Sequence, residues 1–205
     1  PKTESDVPDL VVGTGDGTVE VFINTGTSET PIFSNVVVLS LLNQAGEQTF
    51  GSDTRLSVAV VRVTNSNLFK DDMIVGNEAG EVWYFKRKQS VGFSSTAYEA
   101  GEKAIGNCMS SGRTSISYSN DGTDNYLAII DNSDGSFRWC KMVVNNGLTS
   151  AVLELTQQDT PPKYQPIQDK EIDDKVIAFD YTNDNVFVGN ARGKVHTYDA
   201  VDTNP

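Results

Sequence analysis

The chain has 205 residues, of which 38% are hydrophobic and 21% are charged, a composition typical of a soluble globular protein. Its 16 lysines and arginines against 28 aspartates and glutamates give a net charge of -12. A negative field of this size repels phosphate backbones and anionic lipid head groups. We therefore exclude nucleic acid and membrane insertion as expected modes of action, and basic surfaces and cations are the better partners.

A hairpin pattern occurs four times along the chain. Each copy has a short apolar strand, a turn closed by glycine and a second strand of alternating polarity, as in Asp9-Leu-Val-Val-Gly-Thr-Gly-Asp-Gly17. The closing glycines are 63, 55 and 58 residues apart. We predict hairpins over 9–24, 72–87, 126–141 and 185–200, in one continuous array that spans residues 1–205.

Further strands are predicted around these hairpins. Apolar segments at 58–63, 116–118 and 176–179 precede the last three and are predicted as inner strands. Gly13 and Gly76 end the first strand of their hairpins, where we expect the backbone to bend or to approach a neighbour closely. No stretch shows helical periodicity. A lone four-stranded sheet cannot bury both faces, so we predict an all-β fold whose sheets stack as the blades of a β-propeller. An all-β sandwich is the alternative.

The two ends of the array are predicted to be incomplete. The first hairpin has no inner strand before it, and the last has no outer strand after it. We count about four blade repeats, two of them full and two partial, whose unpaired edges invite further strands. We expect a longer chain or a partner subunit to complete a larger propeller; a closed four-bladed propeller is the alternative.

The second copy, Asp72-Met-Ile-Val-Gly-Asn-Glu-Ala-Gly80 with Glu-Val-Trp-Tyr-Phe85, resembles an FG-GAP/VCBS repeat. The first copy, from Asp9 to Phe33, resembles it equally well, and the third and fourth also resemble WD-repeat blades. The resemblance implies a propeller in a secreted or cell-surface protein that serves adhesion and binds protein or carbohydrate ligands. It also implies calcium in an Asp-rich loop.

Candidate calcium ligands lie around the third hairpin. Calcium prefers six to eight oxygen ligands, several of them carboxylates. Asp121 and Asp124 precede this hairpin, and Asp131 and Asp134 lie in it. Asn, Ser and Thr replace most carboxylates of the family pattern, and such residues also stabilise turns without a metal. We expect calcium to bind weakly or not at all, and we expect no other cofactor.

The chain has two cysteines, Cys108 and Cys140. They can form one disulfide in an exported protein or remain as two buried thiols. A bridge requires Cα atoms within about 7 Å of each other. We expect that no such bridge is needed for folding.

Signals for catalysis are few. His196 is the only histidine, which excludes sites that need two. No serine lies in a Gly-x-Ser-x-Gly motif. We therefore predict that the chain is not an enzyme. Trp83 and Trp139 lie in the second strands of their hairpins, either as core between blades or as platforms for a ligand.

These observations predict a non-catalytic interaction or adhesion module, secreted or on the cell surface, that binds protein or glycan ligands through the propeller loops. Three alternatives stay open. One is a sugar-binding lectin that uses exposed tryptophans. Another is a propeller enzyme that acts on carbohydrate through carboxylates in the axial channel. The last is a cytoplasmic WD-repeat-like scaffold, which reduced cysteines would favour.

Overall fold

The computed structural model describes residues 7, 9–52, 54–61, 72–88, 94–120, 124–131, 136–146, 151–158, 176–182, 185–190 and 195–199. All regular elements in these residues are β-strands, which confirms the predicted all-β class. Within the same residues, no helix is long and apolar enough to cross a membrane.

The described residues form fifteen strands in four open sheets. The first sheet contains β1 (Leu10–Gly13), β2 (Val19–Asn24) and β3 (Phe33–Leu39). The second contains β4 (Ser57–Val61), β5 (Asp72–Gly76), β6 (Val82–Phe85) and β7 (Glu102–Lys103). The third has the order β8-β12-β11-β10-β9 and contains β8 (Ile105–Gly106), β9 (Thr114–Asn120), β10 (Asn125–Asp131), β11 (Ser136–Asn146) and β12 (Ala151–Gln158). The fourth contains β13 (Val176–Thr182), β14 (Asn185–Asn190) and β15 (Val195–Asp199).

The four predicted hairpins are present as antiparallel pairs: β1 with β2, β5 with β6, β10 with β11, and β14 with β15. The predicted inner strands β4, β9 and β13 each pair with the first strand of the following hairpin. An outer strand follows the hairpin in the first three sheets, namely β3, β7 and β12. The short β8 was not predicted, and it pairs in parallel with β12.

Successive sheets pack face to face, and the second sheet is buried on both faces. Its residues Met73, Val75 and Phe85 join a cluster with the first sheet's Val19 and Val21, and all five are 0% exposed. Its alternate residues join a second cluster, with the third sheet. That cluster includes Ile74, Val82, Tyr84, Leu127, Ile129 and Cys140. We call the face of a sheet toward the preceding sheet its trailing face, and the opposite one its leading face.

The third sheet is also covered on both faces. Ala128, Ile130 and Trp139 lie on its leading face and are at most 4% exposed. The strand β13 of the fourth sheet contacts both β9 and β10. A two-sheet sandwich leaves the outer face of each sheet uncovered. The arrangement is instead a stack in which the second and third sheets each lie between their neighbours in the chain.

One spatial relation repeats at each junction between sheets. The first strand of each hairpin contacts the next sheet: β1 contacts β4, β5 contacts β9, and β10 contacts β13. The inner strands are also successive neighbours, β4 beside β9 and β9 beside β13. Each of the three junctions therefore includes a contact between the first strand of a hairpin and the inner strand of the next sheet.

Two glycines permit this close approach. A Cβ atom on Gly13 would lie 2.6 Å from the carbonyl oxygen of Leu56, and one on Gly76 would lie 2.2 Å from Oγ1 of Thr114. The residue after each glycine accepts a backbone hydrogen bond across the same junction, Thr14 from Leu56 at 3.0 Å and Asn77 from Thr114 at 3.2 Å. The close approach predicted at both glycines is confirmed.

Cys108 and Cys140 form a disulfide with a Cα–Cα distance of 5.9 Å, so the reading as two free thiols is wrong. The two cysteines are 32 positions apart in the sequence, which gives no indication that the fold brings them together. Residues 102–106 pass from the outer edge of the second sheet, as β7, to the outer edge of the third, as β8. Cys108 therefore follows the third sheet's own edge strand and meets Cys140 on β11. Both cysteines are completely buried.

Candidate interaction surface

The turn of the second hairpin, residues 77–81, is held by its first residue. The side-chain oxygen of Asn77 accepts hydrogen bonds from the backbone N–H groups of Ala79 and Glu81, both at 3.0 Å. Gly80 has a φ of 80°, a left-handed conformation that favours glycine. An asparagine and a glycine at these positions are a recurrent solution for a tight turn.

The first hairpin repeats this arrangement with threonine. Thr14 Oγ1 accepts a hydrogen bond from the backbone N–H of Thr18 at 3.1 Å, and Gly17 has a φ of 79°. A third turn of this kind was missed in the sequence. Asn43-Gln-Ala-Gly-Glu47 has the pattern of Asn77-Glu-Ala-Gly-Glu81, and Asn43 Oδ1 accepts hydrogen bonds from the backbone of Ala45 and Glu47. The repeated Asn-x-Ala-Gly-Glu was the available signal.

The turns of neighbouring sheets form one continuous surface. A Cβ atom on Gly17 would lie 2.0 Å from the oxygen of Gly51, and one on Gly80 would lie 2.4 Å from the oxygen of Ser110. The segment that leads into the next inner strand therefore covers each turn. We call turns 14–18 and 77–81, with the covering segments 50–52, 54–56 and 110–113, the loop face. An ion pair of 3.4 Å between Arg55 and Glu78 links its two halves.

The loop face carries carboxylates that are held in the ionised form. Hydrogen bonds from the hydroxyl groups of Thr14 and Thr18 lower the pKa of Asp16, which is exposed. A hydrogen bond of 2.7 Å from Lys103 Nζ is the main cause that lowers the pKa of Glu81, against a partial burial that raises it. Both side chains keep their negative charge at neutral pH.

The two candidate ligand-binding tryptophans occupy different environments. Trp83 is half-buried directly beneath the loop face. Its ring packs edge-on against Phe50 at a centroid distance of 6.2 Å, and its Nε1 donates to Glu81 Oε2 at 3.2 Å. Trp139 is 4% exposed and stacks on Tyr126 at 5.1 Å. Trp139 is therefore packed as a core residue, whereas Trp83 has an edge close to a surface.

The four candidate calcium ligands do not converge on one position in the described residues. Asp124 precedes β10 and Asp131 ends it, so the length of the strand, roughly 23 Å, separates them. Lys141 Nζ lies 2.6 Å from Asp124, and the backbone and hydroxyl of Ser111 both donate to Asp131 at 3.0 Å. Asp121 and Asp134 lie outside the described residues. Within those residues, no group of three or more His, Cys, Asp or Glu is arranged to hold a metal.

The aspartate that opens the first two hairpins has a structural role. Asp9 Oδ1 accepts a hydrogen bond from the backbone of Asn24, and Asp72 Oδ1 accepts one from the backbone of Arg87, both at 2.8 Å. In each hairpin the aspartate thus fixes the backbone fifteen residues later. Asp72 also accepts a hydrogen bond of 2.6 Å from the Tyr84 hydroxyl, and its burial raises its pKa. These carboxylates secure the ends of the hairpins.

A scan against protein-family models and a search of curated proteins each found no match to this chain.

Proposed function

We propose that the chain is a β-propeller blade array that acts as a non-catalytic interaction module and binds a basic protein surface through the loop face. The observation that carries the proposal is the ionised, conformationally fixed loop face, which spans two neighbouring sheets. The propeller assignment, including the resemblance to FG-GAP/VCBS repeats, is part of the proposal.

The stacking of the sheets supports the propeller. A propeller is generated when one rotation relates each blade to the next around an axis that the inner strands surround. The repeated contacts of β1 with β4, β5 with β9 and β10 with β13 are what such a rotation produces. The adjacency of the inner strands β4, β9 and β13 is the second expected feature.

Charge and rigidity support the binding role. Turns fixed by their own side chains lose little conformational entropy when a ligand binds, so affinity is not reduced by ordering. The ionised and exposed Asp16 adds to the field of a chain with a net charge of -12, whereas Glu78 and Glu81 are paired with Arg55 and Lys103. Complementary charge speeds association and selects a basic partner.

The disulfide supports a location outside the cell. Disulfides form and persist in secreted and cell-surface proteins and are rare in the reducing cytosol. Because Cys108 and Cys140 are paired, the condition that favoured a cytoplasmic WD-repeat-like scaffold is not met. We propose a secreted or cell-surface module.

A lectin is the second candidate, and one observation favours it. Trp83 is half-buried beneath the loop face and hydrogen bonds to Glu81. An aromatic ring beside a carboxylate suits a sugar, which stacks its apolar face on the ring and donates hydroxyl groups to the acid.

Binding of the labelled chain to an array of extracellular protein domains and to a glycan array tests both candidates. We expect binding to a subset of basic proteins, and its loss in the double variant Asp16→Lys/Glu78→Lys. The matched control is Glu29→Lys/Glu99→Lys, which makes the same change in charge at exposed positions at the opposite ends of β2 and β6. This control should bind as the unmodified chain does.

The two arrays separate the candidates. Suppose that the chain binds glycans, that Trp83→Ala abolishes this binding and that the charge reversals leave it unchanged. The lectin would then replace the first proposal. Equal loss of protein binding in both double variants would mean that only the net charge matters, and the loop face would then not be the binding surface.

A further inference from the structure

The first sheet has an apolar face that no described part of the chain covers. Register places Leu10, Phe22 and Val36 in one row across this trailing face, and Val12, Glu20 and Val38 in the next. Leu10, Val36 and Val38 are 46%, 49% and 48% exposed. We call this surface the open face. Such a cluster of exposed aliphatic side chains on one sheet is typical of an interaction site.

The second sheet shows what covers such a face. The pairing of Leu10 with Phe22 in the first sheet matches that of Met73 with Phe85 in the second, and Val12 matches Val75. Met73, Val75 and Phe85 are 0% exposed because the leading face of the first sheet lies against them. Equivalent positions are thus buried by a preceding sheet in one case and open in the other.

We infer that the open face binds the leading face of the fourth sheet of a second copy of this chain, so that copies associate head to tail. The inference rests on the proposed blade array. It gives a junction between two copies the same arrangement as the three junctions between sheets within one chain. At the first junction the leading face of the first sheet, with Val19 and Val21, covers Met73, Val75 and Phe85 of the second. Among the described residues, no sheet follows the fourth, so its leading face is the counterpart that each copy offers.

The chain's own fourth sheet does not take this place. Its extended contacts are with the third sheet, through β9 and β10, and Leu10, Val36 and Val38 of the open face remain about half exposed. A head-to-tail junction is heterologous: it closes into a ring if the rotation permits and otherwise continues as a filament. Two copies of four sheets each are the smallest assembly in which every open face is covered by another copy.

Charge gives the association a characteristic salt dependence. Each copy carries a net charge of -12, so two copies repel each other at low ionic strength. Salt screens this repulsion and leaves the apolar contact intact. Association should therefore strengthen as salt increases, opposite to a contact held by ion pairs.

Sedimentation velocity of the purified chain over a range of concentrations and salt tests the inference. We expect reversible association that Val36→Asp weakens roughly 30-fold or more, as removal of a central apolar contact does. Val143→Asp is the control, because Val143 is a similarly exposed valine, at 43%, on β11 of the third sheet. Leu10→Lys gives a second, independent test, and melting curves show that each variant is folded.

Mixing identifies the counterpart. Labelled Val36→Asp chains retain their fourth sheet, so in a head-to-tail assembly they should still bind the open face of unmodified chains and cap them. If open faces paired with each other, the variant would fail to bind in the mixture, and the inference would be wrong. A chain that is monomeric at every concentration of protein and salt would also overturn the inference. Binding through the loop face would be unaffected by that result, because the protein and glycan arrays test it separately.

Discussion

Replacing Gly13 by alanine should destabilise the junction between the first and second sheets. The new Cβ would lie 2.6 Å from the Leu56 oxygen and 2.9 Å from both its carbonyl carbon and Val58 Cγ2, where about 3.4 Å is needed for ordinary contact. The Leu56 atoms are backbone, so the sheets must move apart. Overpacking of this kind costs about 1–3 kcal/mol. Weakening the Leu56–Thr14 backbone hydrogen bond adds about 1 kcal/mol.

A gain of about 0.4–1 kcal/mol from the lower entropy of the unfolded alanine chain offsets part of this cost. We therefore expect a net loss of about 1–3.5 kcal/mol in the free energy of unfolding. In a chain of this length the loss lowers the Tm by roughly 2–14 °C. Chemical denaturation followed by tryptophan fluorescence and a thermal scan measure both quantities. Gly15→Ala is the control, because its Cβ would meet only Arg55 Cγ, at 3.9 Å. If the two variants were equally stable, the first two sheets would not meet at Gly13.

Three further predictions concern the disulfide, the hydrogen-bonded pair Asp72 and Tyr84, and calcium. Replacing Cys108 and Cys140 together by serine should lower stability by about 3.5–4 kcal/mol, from the entropy of a loop with a separation of 32 residues; under reducing conditions the variant and the original should unfold alike. Burial raises the pKa of Asp72 above its ordinary 3.8, so the folded state favours the protonated carboxyl. The free energy of unfolding should therefore fall as pH rises from 3.8 through the raised pKa. Asp72→Asn should remove that slope, and Tyr84→Phe should cost about 1–3 kcal/mol at neutral pH by leaving Asp72 Oδ2 without its donor. Calorimetric titration with calcium should show no micromolar site, and a chelator should leave the Tm unchanged; a drop of many degrees would refute this.

The hairpins were predictable because their signals are local. Strand alternation and a glycine at each turn specify a hairpin within about fifteen residues, and β1–β2 and β5–β6 follow that pattern. The glycine at the end of the first hairpin strand indicated a close neighbour before that neighbour was known. At Gly13 the neighbour is Leu56, more than forty positions away.

The disulfide and the loop face were not predictable in the same way. Pairing of Cys108 with Cys140 depends on residues 102–106 passing from one sheet to the next, through two strands of two residues each. Strands that short carry no periodicity in the sequence. Asp131 was considered as a metal ligand because its position in the sequence does not show where its side chain points. It instead accepts hydrogen bonds from the backbone and the hydroxyl group of Ser111.

An experimental structure of the chain, by crystallography or electron cryomicroscopy, tests the blade array most directly. We predict four sheets stacked in chain order, with β4, β9 and β13 side by side and the second sheet buried between the first and the third. Direct packing of the first sheet on the third, or two sheets closed face to face as a sandwich, would contradict the account.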